Sequence, residues 1–529
     1  MQTPRPSFTI LALAALGPGL DKISRPKPVA VTLDTLDQAV AALVPEVFVP
    51  LPRSLGPTGG LSLRIRSIKD FRPDSLVRGD EYLASVEAAR RFLVEAEARA
   101  ESPREVAGRL RSGWPALPLD FEPHGESAAG PKPARSKDLD DILAQVALPE
   151  SRSRTVLSGG ELGRWRLEIE ELLASILKII FENNEFRTCE AAWRGVETLV
   201  KQGPVKAGSG TRLLVVPAGP DDIEDVLDSL AVDLINDPPN LILLDLKLDS
   251  SARSMSILEK AAGLAEMLLS PTICWIGAGF FQLEDWSGLN TLSYLKHHLQ
   301  SGAYAKWRRV AESGGGRWLG VTLNRFLGRP PYGPDFPSGP VRFTEERRLW
   351  LSPVWAAGAL AALSHDLHGW PCRFTDHLNV RLTDLALAEP AGGRPSPTEM
   401  DLGEDRLAQF LEAGLSPLVG ALGRDTAFIP RETSLAGGSL KEQLFFSRLL
   451  GALFWIRDHL AEEIEAGGLA DNLKEALALW WESTGHPAPS DLEVKAAGEK
   501  EGRISLNLGL TPQAAILPGG GRVEFTFDW

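Results

Sequence analysis

Leu241-Ile242-Leu243-Leu244-Asp245-Leu246 is a short apolar run, and two others flank it: Leu213-Leu-Val-Val216 and Thr272-Ile-Cys-Trp-Ile276. Runs of four to six apolar residues fit strands buried on both faces better than helices. The stretches between them carry helical periodicity. Residues 221–234 predict a helix with acidic residues in its first turn, where they suit the helix dipole. Residues 254–269 predict another. Further out, residues 289–312 read as helical and Trp318-Leu-Gly-Val-Thr-Leu323 as a strand. Upstream lie two amphipathic helices, over 161–181 with Ser158 near its start and over 186–200. Apolar strands alternating with helices predict a sheet covered on both faces, so the fold class is mixed α/β (α+β).

The first hundred residues read as a small α/β unit of their own. Residues 8–16, Phe8-Thr-Ile-Leu-Ala-Leu-Ala-Ala-Leu16, are a strand candidate, and Val29-Ala-Val-Thr-Leu33 is a second. Asp34 or Thr35 can cap a helix through 44 with Leu36, Val40, Leu43 and Val44 on one face. Leu61-Ser-Leu-Arg-Ile-Arg66 alternates apolar and polar, which predicts a half-buried strand. A turn at residues 70–74 leads into a helix over 80–100. Residues 101–157 hold seven prolines between Pro103 and Pro149 and read as a linker, with only 139–146 able to form a helical turn or two. The division is therefore 1–100, a linker at 101–157, and 158–529, the last split into 158–325 and 326–529. In that final part, 329–339 is rich in Pro and Gly and 390–440 is loop-rich. Helices are expected at 353–367, 442–463 and 469–481. A β tail of three strands follows at 492–496, 503–510 and 523–529.

Composition narrows the function. The chain has 529 residues and a formal charge of −14. Residues 1–100 carry 13 basic and 11 acidic side chains, against 43 and 59 in residues 101–529. So acidic a second region argues against nucleic acid as a partner, since phosphate binding needs clustered Lys and Arg. Three cysteines, Cys189, Cys274 and Cys372, make no disulfide framework and suit a reducing, cytoplasmic compartment. No apolar run reaches the roughly 18–20 residues that span a bilayer. Arg5 ahead of residues 9–16 mimics a short signal peptide, but one basic residue with Pro4 and Pro6 reads better as the start of a strand.

Catalytic motifs are missing. The dipeptide Gly-Lys occurs nowhere, which excludes a Walker-type phosphate loop. There is no Gly-x-Ser-x-Gly elbow and no His-Glu-x-x-His. His365, His368, Cys372 and His377 fall within 13 residues and are admissible zinc ligands, yet their spacing matches no standard motif. A helix terminus with a buried thiol explains them as well. The 14 tryptophans, Trp480-Trp481, Trp350, Trp355 and Trp529 among them, read as packing residues rather than a sugar platform. No enzyme, cofactor or metal site is expected.

Two sets of residues carry a resemblance. Residues 61–76 end in Asp70-Phe71-Arg72-Pro73-Asp74 after a strand. Further on come Glu190-Ala-Ala-Trp193-Arg194-Gly195; Arg329-Pro-Pro-Tyr332-Gly333 followed by Phe343-Thr-Glu345 and Trp350; Pro397-Thr-Glu399 with Asp401 and Glu404; and Gln443-Leu444 with Ser447-Arg448. In this order they resemble the contractile sheath of the type VI secretion system, with its small and large subunits joined in one chain. Residues 7–95 are similar to the small subunit and 160–529 to the large one.

The resemblance implies a fused structural protomer that polymerises helically around an inner tube, docks on a baseplate and contracts to drive the tube outward. A non-contracting collar, cap or regulatory component of the same fold is the other reading. The partners implied are further copies of the chain, the inner tube protein and baseplate components. A disassembly ATPase recognises the large subunit's N-terminus in some members, but that region is internal and Pro-rich here. Asp70, Phe71, Pro73, Asp74, Trp193, Arg194, Gly195, Arg329, Tyr332, Gly333, Glu399 and Arg448 are then structural positions. Phe8, Ile10 and Leu11, and Val523, Phe525 and Phe527, mark terminal strands that either join neighbouring protomers or pair within their own.

Overall fold

The computed structural model describes residues 6–17, 27–57, 59–122, 160–337, 339, 342–389, 394–459, 468–500 and 503–529. In chain order its strands are β1 (Phe8–Ala14), β2 (Val29–Val31), β3 (Glu46–Val49), β4 (Leu61–Arg64), β5 (Thr211–Pro217), β6 (Leu241–Leu248), β7 (Thr272–Ile276) and β8 (Leu319–Leu323). Then follow β9 (Phe326–Arg329), β10 (Leu349–Leu351), β11 (Leu415–Pro417), β12 (Val419–Gly420), β13 (Ala427–Phe428), β14 (Glu493–Lys500), β15 (Arg503–Leu510) and β16 (Val523–Asp528).

The central sheet has seven strands in the order β11-β8-β7-β6-β1-β5-β2. All its pairs are parallel except β2 with β5. Helices cover both faces, so both sides of each inner strand must be apolar. In β1, Phe8, Ile10, Ala12 and Ala14 enter one core, while Leu11 and Leu13 enter the other. The first core also takes helices Glu81–Ala98, Glu161–Glu182, Asn184–Gln202 and Pro353–His368. Helices Ile223–Asp233, Ala252–Leu268 and Ala305–Glu312 pack into the second.

This arrangement corrects the division at residue 100. The first hundred residues do not form a unit of their own, because their first strand is the middle of the second region's sheet. Helix Glu81–Ala98 lies on Glu161–Glu182, and Phe71 meets Phe186 edge-on at 5.7 Å. The expected linker is also partly folded. Pro103–Gly113 is a helix with Pro at its first turn, where the missing N–H costs nothing. Val106, Ala107, Leu110, Leu117 and Phe121 are buried beside it. The helical turn expected at 139–146, and Ser158, lie outside the described residues.

Two further expectations change. Residues 289–312 are not one helix but a 3-10 turn Trp286–Thr291, a short helix Leu295–His298 and the helix Ala305–Glu312. The chain is extended at Leu292 and at Ser301, and Ser301-Gly302 is a turn signal. The buried Tyr304 hydroxyl donates to the Phe280 carbonyl at 2.9 Å, so tertiary contact overrides the helical pattern. The loop-rich 390–440 contains helix Glu404–Glu412 and β11, which forms the sheet's outer strand. Asn324 anchors this segment by donating to the carbonyls of Met400 and Leu418.

Candidate functional site

The motif positions converge on a buried charge cluster. Helix Asn184–Gln202 begins with Asn183 as its cap, whose side chain accepts from the Phe186 N–H at 3.0 Å. The helix turns Arg187, Glu190 and Arg194 toward β9 and residues 345–348. Arg329 on β9 donates through Nε and Nη2 to both Glu190 oxygens at 2.8 and 2.9 Å, and through Nη1 to Glu345 Oε2 at 2.6 Å. Arg187 donates to Glu345 Oε1 at 2.7 Å and to the carbonyls of Phe181, Arg347 and Arg348. Arg194 closes on Glu190 at 2.7 Å. Burial pushes the Glu190 carboxyl up, but Arg329 and Arg194 outweigh it and hold its pKa below the usual value. Burial works against the Arg329 charge too, and the two carboxylates more than reverse that. Tyr332 offers its N–H to Glu345 at 3.1 Å and its ring to the Arg329 guanidinium 4.2 Å away.

Such a cluster adds little net stability over an apolar core of the same shape, yet losing one member strands the others without water. It pins helix Asn184–Gln202, β9 and residues 342–348 in one geometry. Arg187, Glu190 and Glu345 were not singled out as site residues. Glu190 was legible, since it shares a helix face with Phe186 and Trp193. Nothing local marks Arg187 and Glu345 as partners, because 158 residues separate them.

The other motif positions also hold the fold. Trp193 is fully buried and donates its indole N–H to the Leu16 carbonyl at 2.8 Å, tying the helix to the end of β1. Gly195 lets Trp355 approach; a Cβ there would sit 2.3 Å from the indole. Asp70 accepts from the N–H groups of Arg66 and Ser67, Phe71 is buried, and Pro73 opens helix Pro73–Gly79. Asp74 is on the surface, paired to Arg78 at 2.8 Å. The Gly333 N–H donates to the Phe336 carbonyl at 3.2 Å. Glu399 makes a two-pronged pair with Arg325 at 2.6 and 2.8 Å.

Arg448 donates to the Pro6 carbonyl at 2.9 Å and so fixes the chain just before β1. Its Nε and Nη1 find no acceptor among the described residues, and burial lowers its pKa to about 10. His365 stacks on Phe8 at 5.2 Å and pairs with Thr211 Oγ1 at 2.9 Å. Burial first, then Arg448, keeps that imidazole neutral well below its ordinary range.

The two terminal strands part company. Phe8, Ile10 and Leu11 belong to a strand paired on one side with β5 and on the other with β6. With both edges taken inside its own chain, β1 follows the alternative of pairing within its own protomer. Val523, Phe525 and Phe527 lie on β16, an outer strand of the antiparallel sheet β14-β15-β16. Their side chains pack half-buried on the first core, with Phe525 against Phe446 at 5.0 Å. Among the described residues, the outer edges of β16 and β14 pair with no other strand.

The histidine and cysteine cluster is dispersed: Cys372 is buried, while His377 stacks on Phe428 at 5.0 Å. Among the described residues no group of three or more His, Cys, Asp or Glu is placed to hold a metal. All three thiols are free and buried, and burial raises those of Cys189 and Cys274 to about 12. Trp480 and Trp481 pack with Trp370 and Phe445 in the core. No described helix is long and apolar enough to cross a membrane.

Comparison with known proteins adds a family. The model described as "VipB: EvpB/VC_A0108, tail sheath N-terminal domain" matches residues 236–436, which run from β6 through β13 and include Arg329, Tyr332, Gly333 and Glu399. The type VI secretion system sheath protein TssC1 of Pseudomonas aeruginosa is 22% identical over 338 residues. That alignment covers 56% of this chain and 66% of the relative, just under two thirds of its length. Among solved structures, a chain of the anti-feeding prophage baseplate aligns at 12% identity over 64% of this chain and 76% of its own, with a TM-score of 0.35. A sheath tail protein of Desulfitobacterium hafniense aligns at 8% identity over 58% and 60%, with a TM-score of 0.33. Residues 236–436 thus match a tail sheath family, and the chain is similar to a sheath protein of the type VI secretion system.

Proposed function

We propose that this chain is a sheath protomer that carries both small- and large-subunit parts. It polymerises helically around an inner tube, docks on a baseplate and contracts. The observation that carries this reading is the tail sheet, whose outer strands β16 and β14 each keep one edge unpaired among the described residues, on a core locked by the buried charge cluster. An open antiparallel edge lets a neighbour add a strand through backbone hydrogen bonds, without a large apolar patch. A contact that joins unlike surfaces head to tail does not close on itself and builds a helical filament. Contraction is then a switch between two packings of that lattice. Assembly inside the cell fits three buried thiols. Electron microscopy of the purified full chain tests the reading: long hollow tubes support it, whereas only discrete rings or monomers across salt and concentration would reject it in favour of a collar or cap.

A further inference from the structure

From β1 the chain next enters this sheet at β2 and then β5, both on one side; from β6 it runs to β7, on the opposite side. The adjacent strands β1 and β6 therefore send their connections apart. In open α/β sheets, a crevice outside the carboxyl ends of the strands at such a reversal is where ligands bind. A cavity of about 890 Å³ opens there, past Ala15, Ala218 and Asp245. That volume lies within the range of small-molecule pockets.

The lining has a definite chemistry. Six cationic side chains face three carboxylates, a local excess of positive charge in a chain of formal charge −14. Three of the cations are committed to ion pairs, Arg187 to Glu345, Arg253 to Asp221 and Arg325 to Glu399. Lys247 is exposed and makes no ion pair among the described residues; Arg347 and Arg348 are exposed too, Arg347 lying 4.0 Å from Glu182 and donating to Asn184, Arg348 donating to the Glu389 carbonyl, contacts at the surface that an anion can displace. Of the carboxylates, Asp245 is pushed by burial toward its neutral form, so it opposes an incoming anion less. The half-buried Trp350 adds a flat apolar wall.

Two further donors in the wall, Trp275 Nε1 and Ser352 Oγ, belong to residues 7% and 4% exposed; they face Asp245 as acceptor, and among the described residues neither closes a well-formed hydrogen bond. The Trp355 indole already serves Asp245 at 2.7 Å. Helix Ala252–Leu268 starts at the rim, but its N-terminus is satisfied from within. Asp249 accepts from the Ser251 N–H at 2.9 Å and the Ser254 hydroxyl at 2.7 Å. An anion would therefore rest on the lysine and arginines rather than on the helix end.

We propose that this crevice binds a small organic anion bearing a flat ring, its charge held by Lys247, Arg347 and Arg348 and its ring against Trp350. No reaction is implied; the site is a receptor, and it stands independently of the sheath reading. Isothermal titration of the full chain with ATP, inorganic phosphate and adenosine tests it. ATP is expected to bind most tightly. Lys247→Ala and Arg348→Ala each weaken it about tenfold, the loss of one charge-assisted contact. Trp350→Ala, or Trp350→Leu if the alanine variant is unstable, weakens ATP more than inorganic phosphate. Circular dichroism melts confirm that Lys247→Ala, an exposed change, stays folded. Absence of ATP binding at low salt, or unchanged ATP affinity in both Lys247→Ala and Arg348→Ala, overturns the proposal.

Discussion

β1 and β16 stand near the two ends of the chain, and both read from sequence as strands that could reach a neighbour. The structure separates them. β1 is Phe-Thr-Ile-Leu-Ala-Leu-Ala, with six of its seven residues fully or almost fully buried between two parallel partners. β16 is Val-Glu-Phe-Thr-Phe-Asp, alternately half-buried and exposed, with one partner. The difference was written in the pattern. A continuous apolar run needs both faces covered, whereas strict alternation needs only one. A strand near a terminus is thus free for exchange only when its pattern leaves a face and an edge in water.

The largest test of this contrast is truncation at β1. Phe8, Ile10, Leu11 and Leu13 each contribute roughly 1.5–3 kcal/mol by burial, and their sum rivals the whole stability of a typical domain. Removing residues 1–16 is therefore expected to abolish cooperative unfolding and leave insoluble or molten chain. A sharp melt with native circular dichroism after that deletion would break the comparison.

Next comes the core into which β1 is threaded. Arg329→Ala strands Glu190 and Glu345 without their shared partner and should cost about 3–5 kcal/mol, read as a lower denaturant midpoint. Arg448→Met is expected to cost much less, because two of that guanidinium's donor nitrogens already lack acceptors. Equal losses would argue against a special role for the charge cluster.

Removing residues 523–529 should cost roughly 3–6 kcal/mol, since four half-buried side chains, Val523, Phe525, Phe527 and Trp529, are lost. The chain should stay folded and fail to form tubes. Tubes of normal length by electron microscopy would remove β16 from the proposed assembly.

The smallest effect concerns pH. The folded-state pKa of His365 lies well below its ordinary 6.5. Between those two values the unfolded chain takes up a proton that the folded chain refuses. Stability from this group is therefore lost as pH falls below 6.5, by up to about 1.4 kcal/mol per pH unit. In urea unfolding at pH 7.5 and 5.5, His365→Gln should lose less on acidification than the parent chain. A parallel loss in both would assign the acid sensitivity elsewhere.

Much of the fold was legible because its signals are local. The apolar runs at 213–216, 241–246 and 272–276 became β5, β6 and β7. Asp80 caps helix Glu81–Ala98 by accepting from the Leu83 N–H, a residue type and position that sequence supports directly. What failed locally failed for identifiable reasons. Pro103 read as a breaker although it sits at a helix start, and the helix 289–312 ignored Ser301-Gly302. β11 is three residues long and has little pattern to detect. β3, Glu46-Val-Phe-Val49, gained its standing only from pairing with β4.

The sequence alone determined the strand and helix alphabet of residues 211–276, the family resemblance, the motif positions and the lack of catalytic motifs, because propensity, periodicity and motif order act over a few residues. Only the tertiary structure decided that β1 lies between β5 and β6, that Arg329 unites Glu190 with Glu345, and that β16 keeps an open edge. Those pairings join residues up to some 230 positions apart, and backbone hydrogen bonds between distant strands leave no mark on either strand's own sequence.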